Sequence, residues 1–157
     1  MFVGVNDAAS SPAETPAGSL PMVYAKFETE LQVRPDDIDM YQHVHSSRYM
    51  DYVLAARFDQ MERCYKVPMS EFQQRGFGWV MAATEMHFRV PLGLGDRFMV
   101  RTWIDKFTLI GVRVQFQIMR TRDQELSCDG WFDYVMVSLA TARPVRLPAD
   151  IRAKYAI

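Results

Sequence analysis

Cysteine and histidine are scarce in this chain: two and three residues in 157. Cys64 and Cys128 stand far apart and fit no metal-binding or redox spacing, so they read as buried free thiols in a reducing compartment. A catalytic zinc takes three protein ligands, and His43 and His45 would need a distant third, so no metal is expected. Charge of one sign is also lacking. Eighteen Lys and Arg stand against nineteen Asp and Glu, giving a net charge of −1. Without a Lys/Arg cluster there is no electrostatic footprint for nucleic acid. No apolar run approaches the ~20 residues of a membrane span. The first 22 residues are rich in Ala, Ser and Pro and hold no Lys or Arg, unlike a signal peptide. Residues 1–23 are therefore expected to be a disordered tail, which cannot bury enough apolar surface to offset its ordering entropy. A cytoplasmic location is expected.

What is present suits one globular domain over residues 24–157: 49% hydrophobic and 24% charged residues. From Phe27 to Val33 apolar and polar residues alternate, the period of a strand with one wet face. Ser46 and Ser47 are good helix N-cap types. Met50, Val53, Leu54, Phe58, Met61 and Tyr65 follow at helical spacing, which predicts a largely buried helix over 46–65. A short second helix opens at Pro68 and Ser70 and ends at Gly76. The remainder reads as strands. Val80, Ala82, Thr84, Met86, Phe88 and Val90 are expected on one face. Phe98, Val100, Thr102 and Ile104 form another such set, and Val112, Val114, Phe116 and Ile118 a third. A last strand from about Leu126 to Thr141 is apolar on both faces and is expected to be central and covered on both sides. Residues 147–155 read as a short terminal helix with Pro148 near its start. Strand, long helix and four strands make an α+β architecture, one long antiparallel sheet wrapped on one buried helix. Eleven methionines, among them Met86, Met99, Met119 and Met136, read first as core filling and second as an adaptable pocket.

The chemistry concentrates in the run Asp37-Ile38-Asp39-Met40-Tyr41-Gln42-His43-Val44-His45-Ser46-Ser47-Arg48-Tyr49. A carboxylate, Asp39, precedes a helix start whose free N–H groups and partial positive charge suit a polarised carbonyl. Read alone, Asp39 is first an ordinary turn residue. The run resembles the D-x-D-x-x-G-H-V-N-N-x-x-Y pattern of hotdog-fold acyl-CoA thioesterases of the 4-hydroxybenzoyl-CoA thioesterase type. Asp37, Asp39, His43, Val44 and Tyr49 match it, and Tyr52, Ala56 and Arg57 fit its helical continuation. Ala142-Arg143-Pro144-Val145-Arg146-Leu147-Pro148 is similar to the segment after the last strand in many relatives. The likeness spans about residues 25–155. Three positions depart from it: Gln42 replaces the usual Gly, His45-Ser46 replaces Asn-Asn, and Leu54 stands where many relatives carry Glu.

The resemblance implies a hotdog fold and hydrolysis of an acyl-CoA or acyl-carrier-protein thioester, with no cofactor. Asp39 would be general base or nucleophile and the backbone N–H of Ser46 the oxyanion donor, with His43 and His45 in support. Tyr49, Ser47, Arg113, Arg143 and Arg146 are substrate-binding expectations, Arg being the natural binder of CoA phosphates. Arg101 belongs with them as a phosphate candidate. His87 reads as structural. A homodimer or homotetramer is implied. Two other readings stay open. One is a hotdog protein that binds acyl-CoA without turning it over. The other is an enoyl-thioester hydratase or dehydratase, whose motif has Asp and His five apart with Asn between, against four apart and no Asn here.

Overall fold

The computed structural model describes residues 23–157, so the expected tail falls almost wholly outside it. Strand β1 (Lys26–Gln32) leads through a single 3-10 turn (Pro35–Asp37) and a loop into helix α1 (Arg48–Arg63). A short α2 (Met69–Gln74) follows, then β2 (Phe77–Phe88), β3 (Arg97–Phe107), β4 (Gly111–Arg120), β5 (Glu125–Ser138) and α3 (Ala149–Tyr155). The strands form one antiparallel sheet in the order β1-β3-β4-β5-β2. The strand-and-helix order is the expected one. β5 lies second from the edge and β4 takes the centre.

Period-two alternation puts Phe98, Val100, Thr102 and Ile104 of β3 on the face toward α1, with Val112, Val114, Phe116 and Ile118 of β4 beside them. Phe132 and Met136 of β5 complete this floor. Helix α1 lays Tyr49, Tyr52, Val53, Ala56, Arg57, Gln60 and Met61 onto it. Each large apolar side chain so buried contributes about 1.5–3 kcal/mol. The core divides along α1. One cluster surrounds Tyr49, Val53 and Phe132, and another surrounds Met61, Phe72, Ile151 and Tyr155. The opposite sheet face is only partly covered: Trp131, Val135 and Val137 of β5 are half-buried, short of the two-sided covering expected. Met99 and Met119 pair across that same open face, away from α1.

Two local departures have clear causes. The helix is shorter than 46–65. It begins at Arg48, whose N–H bonds the His45 carbonyl, and Lys66 in the left-handed region (φ 59°) ends it. In β2 the register shifts between Met81 and Ala83, leaving Ala82 as an extra residue. Trp79 and Met81 therefore pair with Met136 and Tyr134, while Thr84, Met86 and Phe88 pair with Phe132, Gly130 and Cys128, all on the face toward α1. Val80 pairs with Val135 on the other face and is 49% exposed, so the single face drawn through Val80 and Phe88 is broken by the bulge.

Candidate active site

The run between β1 and α1 is folded by one buried carboxylate. Asp37 is 1% exposed. Its Oδ2 accepts the Tyr52 hydroxyl at 2.6 Å, and Arg34 donates to both oxygens at 3.1 and 3.2 Å. Arg48 stands 3.6 Å from Oδ1. Burial alone pushes the Asp37 pKa up, but the hydrogen bonds from Arg34 and Tyr52, with the Arg34 charge, outweigh it and hold the pKa below the usual carboxylate range. The Asp37 carbonyl also accepts the His45 N–H at 2.9 Å. One residue thus ties the end of β1, the second turn of α1 and the loop between them.

That loop is a tight hairpin. Asp39 N–H donates to the His43 carbonyl at 2.8 Å and Gln42 N–H to the Asp39 carbonyl at 3.1 Å. Gln42 adopts φ 64°, a conformation that costs an L-residue roughly 1 kcal/mol relative to Gly. The usual glycine geometry is therefore kept with a glutamine in place. Asp39 Oδ1 accepts the Tyr41 N–H at 2.8 Å and the His43 N–H at 3.4 Å, an Asx-type turn. Its second oxygen accepts no protein hydrogen bond among the described residues.

Asp39, His43, His45, Ser46 and Tyr49 line one open cavity of about 310 Å³. The Ser46 N–H is an orphan donor just ahead of α1, with no acceptor among the described residues. Ser46 was expected to cap the helix; Ser47 takes the N-cap position, and its side chain makes no capping bond. Instead Ser47 turns to His45: its N–H donates to Nδ1 at 3.2 Å, and its hydroxyl lies 2.8 Å from the same nitrogen. A ring nitrogen that accepts leaves the proton of neutral imidazole on Nε2, so His45 carries a free Nε2–H donor. Tyr49 accepts the Leu92 N–H at 3.2 Å on its buried hydroxyl and stacks edge-on against Phe88 at 5.3 Å, bracing the far wall.

The remaining expected residues lie elsewhere. Arg113 makes a bidentate pair with Asp133 at 2.6 and 2.7 Å and covers the Trp131 ring at 3.8 Å. Arg101 pairs with Glu28 at 2.6 Å. Arg143 and Arg146 follow the C-terminal end of β5, whereas the cavity lies at its N-terminal end, ten residues and about 33 Å of strand away. His87 pairs with Glu85 at 2.5 Å on an exposed strand face. Four cavity residues were not singled out from sequence: Tyr41, Arg89, Pro91 and Ser127. Arg89, held by Asp129 at 2.9 Å, is the cation that borders this cavity. It carries no local signal, because only the pairing of β2 with β5 brings it there.

The profile of the thioesterase-like superfamily matches residues 33–155. The chain is 24% identical over 131 residues to the long-chain acyl-CoA thioesterase FadM of Escherichia coli, covering 81% of this chain and 95% of that protein. It is 28% identical to the chloroplastic acyl-acyl carrier protein thioesterase ATL3 of Arabidopsis thaliana, covering 82% of this chain and 66% of that one. Among solved structures, the DHNA-CoA thioesterase of Staphylococcus aureus superposes with a TM-score of 0.78 at 17% identity, covering 83% of this chain and 89% of that one. The sheet wrapped on α1 is accordingly a hotdog fold.

Proposed function

The chain belongs to the thioesterase-like superfamily, and from that premise we propose that it hydrolyses an acyl-CoA or acyl-carrier-protein thioester in the cavity at the start of α1. The observation that carries the reading is the pairing, in one cavity, of the Asp39 carboxylate with the orphan Ser46 N–H. Hydrolysis of a thioester develops negative charge on the carbonyl oxygen. A free N–H at a helix start, backed by the helix dipole, is a fixed donor for that charge. The free oxygen of Asp39 either takes a proton from an attacking water or attacks the carbonyl carbon itself. In the first route the water oxygen bonds to the acyl carbon, the C–S bond breaks, and the thiolate leaves with a proton. That proton is the one Asp39 took from the water, returned through solvent, and the His45 Nε2–H can donate a hydrogen bond to the departing sulfur. In the second route an acyl-Asp39 anhydride forms as the thiolate leaves, and water then cleaves it. His43, whose N–H and carbonyl close the Asp39 turn, positions the carboxylate. No metal is required by either route.

CoA or a carrier arm would approach past Arg89, which borders the cavity; Arg113, Arg143 and Arg146 could act only from another subunit. The long edge strand β2, with Val80 and Phe88 about half exposed and no neighbouring strand on its free side among the described residues, supports a homodimer built on that edge. A cytoplasmic site of action fits a helix set with no member long and apolar enough to cross a membrane among the described residues.

The test is release of free thiol from short, long and aromatic acyl-CoAs and from an acyl-carrier protein, with Asp39→Asn alongside. The expected result is turnover by wild type and a loss of at least about 100-fold in the variant. Equal rates for the two would remove Asp39 from the chemistry. Tight acyl-CoA binding without thiol release would instead establish a binding protein, and hydration of crotonyl-CoA without thiol release a hydratase.

A further inference from the structure

A second cavity lies under the C-terminal half of α1, on the same helix as the candidate site but bounded by different residues. Its free volume is about 50 Å³ and it opens to solvent on one side, and its walls are almost wholly apolar: Leu54, Phe58, Met61 and Met69 among them. One wall is a cation. Arg57 is 6% exposed and forms no ion pair with any carboxylate among the described residues. Its Nη1 donates to the Thr102 hydroxyl at 3.1 Å, which in turn donates to the neutral amide of Gln60. Its guanidinium lies 5.3 Å from the Tyr65 ring, which neutralises nothing. A buried charge without a counter-charge costs several kcal/mol.

The polar groups around it repeat the pattern. The Tyr65 hydroxyl, the Trp79 Nε1 and the Tyr134 hydroxyl are buried and have no hydrogen-bond partner among the described residues, and Trp79 and Tyr134 line the cavity with Arg57. Burial pushes the Tyr134 hydroxyl up to about 12 and raises that of Tyr65 as well, and the Arg57 charge partly offsets both rises. The Trp indole can only donate, the tyrosines donate readily, and the guanidinium donates from five N–H bonds. The hydroxyl oxygens of Thr102 and the tyrosines can accept, so what this group lacks is a negative acceptor. The chain could supply it from the preceding turn of α1, at position 54, the natural i,i+3 partner of Arg57. That residue is Leu54.

We propose that this cavity binds an apolar carboxylic acid, with its carboxylate on Arg57 and its hydrocarbon body against Leu54, Phe58, Met61 and Met69. A guanidinium takes a carboxylate in a bidentate pair, and the apolar walls select for the attached chain. The carboxylate arrives either on a free acid or at the far end of an acyl chain whose thioester lies elsewhere. The site stands independently of the role given to Asp39.

The test is calorimetric titration of the full chain with octanoate, and with octanol as the uncharged control. Wild type is expected to bind octanoate saturably and octanol at least tenfold more weakly. Arg57→Met keeps the apolar volume and removes the charge; it should fold and lose octanoate binding by at least tenfold. Leu54→Glu keeps Arg57 and supplies an internal carboxylate; it should melt no lower than wild type at neutral pH and also lose octanoate. Asp39→Asn should bind octanoate as wild type does. Displacement of octanoate by ω-carboxyoctanoyl-CoA but not by octanoyl-CoA assigns the far end of an acyl chain, and displacement by neither assigns the free acid. The proposal is overturned by absent octanoate binding, by octanol binding as tightly, or by undiminished binding to Arg57→Met. It is equally overturned if octanoyl-CoA displaces the probe as well as its ω-carboxy form, or if the only effect of Arg57→Met is a change in oligomer mass.

Discussion

At the N-terminal end of α1 each acid has its donors close by: Asp37 takes Arg34 and Tyr52, and Asp39 takes the N–H groups of Tyr41 and His43. Further along the same helix, Arg57 is nearly as buried as Asp37 and has a threonine hydroxyl for company. The first region is polar, open and largely self-satisfied, with one carboxylate oxygen and one backbone donor left over. The second is apolar and unbalanced, with a surplus of donors and no carboxylate among the described residues. Unsatisfied groups in a folded chain mark where something else is accommodated. Here the leftovers differ in kind. An acid with an orphan N–H suits a reacting carbonyl, and a cation among apolar walls suits a bound anion.

The comparison can be broken from either side. The largest expected effect is on rate. Asp39→Asn keeps an acceptor for the Tyr41 N–H, so it should melt within a degree or two of wild type while losing about 3 kcal/mol or more of transition-state stabilisation, seen as the drop in kcat. A large fall in melting temperature would mean that Asp39 is chiefly a turn residue. Next comes Asp37→Asn. It removes a charge that holds two arginines and a tyrosine, and urea unfolding at pH 7 should show a loss of about 2 kcal/mol. The pH dependence follows from the depressed pKa of Asp37. Its contribution is fully present above the unfolded carboxylate value near 4 and is lost as pH falls through the lower folded value, so wild type and variant should converge in acid. A gap that persisted at low pH would assign the effect to packing. Tyr49→Phe leaves the Leu92 N–H without its buried acceptor and should cost about 1 kcal/mol, with turnover falling as the cavity wall loosens. The smallest effect is at Gln42. Gln42→Gly relieves a left-handed residue and should raise stability by at most about 1 kcal/mol, measured as a shift in melting temperature. A fall instead would show that the glutamine side chain supports the hairpin.

Much of the fold was legible because every strand but β2 repeats a two-residue period over seven or more positions, and the face carrying Phe98, Val100, Val114 and Phe116 follows directly from it. The site was legible where it is local. Asp39, His43, His45, Ser46 and Tyr49 sit within eleven residues of sequence and meet in one cavity. What depends on pairing distant strands was not. Arg89 and Ser127 reach the cavity only through the register of β2 with β5. Asp36 and Asp37 look alike in sequence, yet one is exposed and the other buried, and the choice is made by Tyr52 on a helix not yet packed when the sequence is read. Arg57 fits a helical pattern equally well with or without a partner, so its isolation emerges only once every neighbour is in place.

The extra residue in β2 has a consequence for how this edge tolerates change. Ala82 acts as a phase shifter: upstream of it the odd positions look toward the helix, and downstream the even ones do. Trp79 beside the apolar cavity and Phe88 beside the polar one are therefore indexed to each other through a single alanine. Substituting that alanine would leave the phase intact, whereas deleting it would turn one of the two aromatic side chains outward while its neighbours in the other strands stayed put. The two cavities are built on separate residues, yet their walls share one count along one strand.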